Sequence, residues 1–181
     1  MTQIDNPSVR DLIQSGYAGK PNEALKSAGL IIDPHLSNDN QQVYYRPADQ
    51  QLFINISGTH NLSDVGTDAY LAFGNLKGTK RYKQARRVVR DAKIKYGVNY
   101  ANISGHSLGG AIAQYVGAKN DKIITYNKGA TIGQKTRHNE SAYRTLLDPV
   151  SLFARSTKSV GLGSLFNAHS SKYLPKKVTF H

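Results

Sequence analysis

Apolar residues recur along this chain with two periods, one helical and one extended. Between residues 79 and 96, Tyr82, Ala85, Val89, Ala92 and Tyr96 share one side of a helical wheel, while Lys83, Arg86, Arg87, Arg90 and Lys93 share the other. That spacing predicts an amphipathic helix with a cationic outer face. Shorter helices are expected over 9–17 and 21–28, the second opened by Pro21 and closed before Gly29. Residues 42–46 and 51–57 are rich in β-branched and aromatic side chains. The turn-forming Pro47-Ala48-Asp49 divides them, so they read as a hairpin or as two neighbouring strands. Further strands are expected over 100–104, 122–126 and 142–147, with a small-residue helix over 108–118. Alternating strands and helices predict an α/β fold: a mostly parallel central sheet flanked by helices.

Length and charge then narrow the picture. A chain of 181 residues suits one minimal domain over 1–181, with the polar, turn-rich residues 1–40 as an N-terminal cap segment. It has no cysteine, which excludes disulfides and thiolate metal sites. The first residues lack the basic start and apolar core of a signal peptide. No apolar run reaches the roughly 18 residues of a membrane span, so a soluble, unexported chain is expected. The net charge of +12 favours anionic partners, either nucleic acid or an acidic membrane surface.

The chemistry is concentrated at Gly105-His106-Ser107-Leu108-Gly109-Gly110, a G-x-S-x-G pattern between a predicted strand and a predicted helix. A serine on so tight a strand-to-helix turn takes a strained backbone. Side chains in place of Gly105 or Gly109 would collide with the flanking elements. This points to a nucleophile elbow and to the α/β-hydrolase fold, with Ser107 as nucleophile. A serine hydroxyl needs a base and an orienting carboxylate, which follow it in the order acid, then histidine, on this scaffold. After Ser107 the carboxylates are Asp121, Glu140 and Asp148. Asp121 stands at the entry to a strand and Glu140 in a polar loop between strands. Asp148 stands at a strand exit, where α/β sites gather, and is the expected acid. Of the two later histidines, His181 ends the chain, which leaves His169 as the expected base. Oxyanion donors are expected from the Leu108 N–H and from Thr59, in the turn Ser57-Gly58-Thr59.

These residues resemble the class 3 lipase family. Phe53-Ile54-Asn55-Ile56-Ser57-Gly58-Thr59 is similar to its oxyanion segment, followed by Asp64 and Thr67-Asp68. The elbow at 105–111 is similar throughout. Residues 123–129 resemble its next strand, Asp148-Pro149-Val150 its acid site, and Asn167-Ala168-His169 with Tyr173 its histidine region. Where the family usually carries an arginine before the oxyanion glycine, this chain has Ser57. The resemblance implies a compact, viral-type member that hydrolyses carboxylic esters of lipids through Ser107, Asp148 and His169. Thr59 and Leu108 would bind the oxyanion, and no metal or cofactor would be used. It also implies a cytoplasmic or virion-associated setting. Peptidase and thioesterase chemistry would use the same machinery. The apolar residues of 152–166, among them Leu152, Phe153, Val160, Leu162, Leu165 and Phe166, are expected to line an acyl groove, touch a membrane or pack in the core. The cationic helix face is expected either to be simply solvated or to rest on anionic lipid. The competing class is a basic α/β binding module for nucleic acid or anionic membrane, with the elbow kept only as fold.

Overall fold

Alternating side chains build a seven-stranded mixed sheet in the computed structural model, which describes residues 5–59, 74–129, 135–145, 158–160 and 170–181. The strands are β1 (Ile31–Ile32), β2 (Gln41–Arg46), β3 (Gln51–Ile56), β4 (Asn102–His106), β5 (Lys122–Tyr126), β6 (Glu140–Arg144) and β7 (Lys158–Ser159), side by side in chain order. β1, β2 and β3 pair antiparallel, and β2 with β3 is the expected hairpin. From β3 to β7 every pairing is parallel.

The helices are α1 (Val9–Ala18), α2 (Glu23–Ser27), α3 (Lys80–Tyr96) and α4 (Leu108–Val116). α3 forms where the periodicity placed it. The Thr79 hydroxyl caps it by accepting from Tyr82 N at 3.2 Å, and Gly97 ends it at φ 63°, a left-handed turn that glycine makes without strain. Tyr82, Ala85, Val89 and Ala92 are buried by this helix against the sheet.

Period-two alternation gives the sheet two apolar faces. Val43, Ile54, Ile103 and Ile123 lie opposite one another in successive strands and form a row under α3 and α4. Tyr44, Phe53, Ile124 and Tyr126 point the other way, onto α1 and the C-terminal tail. There Val9, Leu12 and Ile13 pack with Leu174, Val178 and Phe180. Burying each such side chain contributes about 1.5–3 kcal/mol. The tail is pinned by Val9 N donating to Val178 O at 2.9 Å, so both ends of the described chain close one face. α1, within the expected N-terminal cap segment, thus packs into the core through Val9, Leu12 and Ile13.

Some expected boundaries shift. The strand expected at 100–104 runs over Asn102–His106, because the chain stays extended until the turn at Ser107. The strand expected at 142–147 begins earlier, at Glu140, and its described extent ends at Arg144. Glu140 therefore lies in β6, only 8% exposed, and not in a polar loop. Asp121 behaves as read: its carboxylate caps the entrance to the sheet, accepting from Ala101 N at 2.8 Å and Ala118 N at 2.6 Å. No helix among the described residues is long and apolar enough to cross a membrane.

Candidate active site

The backbone turns sharply where β4 meets α4. Ser107 holds φ 56° and ψ −127°, a region that L-residues rarely occupy and that costs about 1–3 kcal/mol. Such strain persists only where the surroundings impose it, and three backbone hydrogen bonds do so here. Ser107 N donates to Tyr126 O at 3.1 Å, and Ser107 O accepts from Ala111 N and Gly129 N, each at 3.2 Å. The three glycines around it allow close packing. A Cβ on Gly105 would overlap the Gly109 carbonyl. One on Gly109 would overlap Ile56 O and lie 2.5 Å from Ser57 O, and one on Gly110 would lie 2.7 Å from Lys128 Cβ. The pattern read from the sequence as an elbow is therefore a steric requirement of this turn.

The turn after β3 comes up against the same serine. A Cβ on Gly58 would lie 3.0 Å from Ser107 Cβ and 2.9 Å from His106 O, so only glycine fits there. Thr59 follows, half-buried. Leu108 opens α4, and the first-turn N–H groups of a helix have no acceptor within it. Ser107 is buried, at 3% exposure. Ser107, Leu108, Gly58 and Thr59 are thus brought to the carboxyl ends of β3 and β4. Asp148 and His169 lie outside the described residues, as do Asp64, Thr67, Asp68 and most of 152–166.

A buried polar network lies beneath the elbow, and no pattern in the sequence announced it. Tyr17, the penultimate residue of α1, sends its hydroxyl to the site: Gly58 N donates to Tyr17 Oη at 3.2 Å, and Tyr17 Oη bonds His106 Nδ1 at 2.6 Å. The His106 ring stacks on Tyr126 at 5.5 Å and meets Tyr17 edge-on at 5.6 Å. Burial pushes the Tyr17 hydroxyl up to about 12, against the lowering by Gly58 N–H and the Arg81 charge, so it stays protonated at neutral pH. α1 comes this close because Gly16 lies on a polar row within the sheet. In that row Ser104 Oγ donates to Asn55 Oδ1 and Asn55 Nδ2 donates to Gln42 Oε1, both at 3.0 Å.

Arg81 was missed as well. From the first turn of α3 its Nη2 donates to Ser57 O at 2.6 Å. Ser57 itself precedes Gly58 in the chain, so the guanidinium reaches this turn from a helix and not from the turn's own sequence. On the far side of the elbow, Lys128 Nζ pairs with Glu140 Oε1 at 2.5 Å, both side chains being almost fully buried. Burial pulls the Lys128 pKa down, while the Glu140 charge raises it. Thr125 Oγ1 donates to the same carboxylate oxygen at 2.7 Å, and Arg137 N donates to Glu140 Oε2 at 3.1 Å. The carboxylate so occupied is a structural partner of Lys128.

Tyr17→Phe removes the hydroxyl that bonds both Gly58 N–H and His106 Nδ1. The expected result is a stability loss of about 1–3 kcal/mol in urea titration.

Neither a family model nor a curated protein matches the sequence. Among solved structures, the native Rhizomucor miehei lipase propeptide complex is similar at a TM-score of 0.50 and 13% identity, over 80% of this chain and 61% of that one. A two-residue deletion mutant of the same complex gives a TM-score of 0.50 and 14% identity, over 80% and 59%. The Lip2 lipase from Yarrowia lipolytica gives 0.49 and 15%, over 81% and 76%. The chain spans about three-fifths of the length of the Rhizomucor structures. At such identities the likeness is one of fold, and the fold shared with the Rhizomucor lipase structures is a mixed α/β sheet with flanking helices.

Proposed function

We propose that this chain is a serine-dependent carboxylic ester hydrolase of the α/β-hydrolase type, acting on lipid esters in the manner of a lipase or phospholipase A. The observation that carries the reading is the strained Ser107, held at the mouth of α4 with the Gly58-Thr59 turn packed against it. In this reading Ser107 attacks the ester carbonyl while His169 takes its proton, and Asp148 orients the imidazole and stabilises its cation. The N–H groups of Thr59 and Leu108 receive the oxyanion, each worth roughly 3 kcal/mol in the transition state. The alcohol leaves with the proton from His169, which then activates water to release the acid. Chain connectivity supports these partners. Thr145 Oγ1 and Ser170 O both bond Tyr126 Oη, at 2.5 and 3.1 Å, and the Tyr126 ring stacks on His106. Asp148 follows Thr145 by three residues and His169 immediately precedes Ser170. The lipid preference and the kinship with compact class 3 lipases rest on the sequence resemblance.

The test is turnover of p-nitrophenyl butyrate, p-nitrophenyl palmitate and a phosphatidylcholine by the purified protein. Turnover is expected, with His169→Asn and Asp148→Asn each lowering kcat by about 10³-fold or more. A folded wild type that hydrolyses none of them would shift the assignment to a basic binding module, the reading favoured by the net charge of +12.

A further inference from the structure

We propose that the groove between α3 and α4 is a docking surface for an anionic phospholipid bilayer, distinct from the Ser107 site. The groove has a volume of about 630 Å³ and is lined by Lys77, Lys83, Arg86, Arg87, Arg90 and Lys93, with no carboxylate in its lining. Val89 and Val116 give it an apolar floor. α3 carries eight basic residues and a single acid, Asp91, in 17 positions. Asp91 serves Arg90 at 2.8 Å and Arg87 at 3.4 Å, while Lys93 is held by Asp121 at 2.6 Å. Lys83 and Arg86 are exposed on the same face. Like charges four residues apart, as at Lys83 and Arg87 or Arg86 and Arg90, destabilise a helix. Contact with an anionic surface would relieve that repulsion.

Two features favour a bilayer over a nucleic-acid strand. Lys83, Arg87, Arg90 and Ile94 follow one another at three- and four-residue steps, so the cationic stripe ends in an isoleucine that is 73% exposed. On α4, next to the groove-lining Val116, Tyr115 is 38% exposed, with Lys77 Nζ 5.1 Å from its ring centroid. Cations interleaved with an exposed aliphatic and an amphipathic tyrosine suit the headgroup layer of a membrane. A single strand would need a stacking platform, and both tyrosines of α3 are already engaged. Tyr82 is buried in the core, and Tyr96 stacks on Tyr45 at 4.3 Å.

The test is co-sedimentation with vesicles of phosphatidylcholine alone and of phosphatidylcholine and phosphatidylglycerol in equal amounts. Binding to the mixed vesicles only is expected, weakened by added salt. Lys83→Glu/Arg86→Glu is expected to reduce it by about tenfold or more, and Lys176→Glu/Lys177→Glu, the same charge change elsewhere, by less than about threefold. Ile94→Ser is expected to weaken it a few-fold at every salt concentration. Ser107→Ala should bind as the wild type does, which separates this proposal from the hydrolase assignment. Absence of binding to the mixed vesicles, or equal losses in the two double variants, would overturn it. So would tighter binding of a single-stranded oligonucleotide that is lost in Lys83→Glu/Arg86→Glu.

Discussion

Ser107→Ala is expected to lower ester turnover by roughly 10⁴-fold or more while leaving the fold intact. The side chain supplies the bond-forming oxygen in the proposed cycle, and no other described group shares its position at the head of α4. The backbone strain at φ 56° is common to serine and alanine, both having a Cβ. Stability should therefore change by less than about 1 kcal/mol, and the variant is a fair reference for an inactive but folded protein. Thermal denaturation beside the kinetic assay checks both halves. Turnover surviving in a folded Ser107→Ala protein would place the nucleophile elsewhere.

Gly109→Ala is expected to be the most damaging glycine-to-alanine change among the described residues. Its new methyl would overlap Ile56 O and sit 2.5 Å from Ser57 O and 2.7 Å from Ile56 C. All three are backbone atoms of β3 and the turn that follows, so no side chain can swing away, and α4 must lift from the sheet. Overpacking of this kind costs about 3 kcal/mol or more. Gly97→Ala provides the contrast. Gly97 has φ 63° with nothing within 4 Å of the methyl that alanine would add, so only the left-handed backbone is penalised, at about 1–2 kcal/mol. Urea titration of the two variants should rank them in that order. Gly109→Ala as stable as Gly97→Ala would mean that α4 does not approach β3 so closely.

Much of this arrangement was legible because it is written in local patterns. The face of α3 came from residues three and four apart, the β2–β3 pair from runs of β-branched and aromatic residues on either side of Pro47-Ala48-Asp49, and the elbow from glycines flanking one serine. β1 and β7 escaped notice because two residues are too few to show a period. Glu140 was misplaced because its partner, Lys128, lies twelve residues back, and only the sheet brings the two charges together. Tyr17 and Arg81 were hidden for the same physical reason. On its helix Tyr17 continues the apolar face of Val9 and Ile13, so its spacing reads as core packing. Its hydroxyl acquires a role only when Gly16 lets α1 settle against the sheet beneath Gly58. Long-range polar pairing leaves no period to read.

Whether Ser107 is an activated nucleophile is tested most directly by treating the folded protein with a fluorophosphonate and mapping the adduct by peptide mass spectrometry. Stoichiometric modification of the peptide carrying Ser107 is expected, and none in Ser107→Ala. A folded wild type that takes up no probe, or an adduct that maps to another residue, would contradict the assignment.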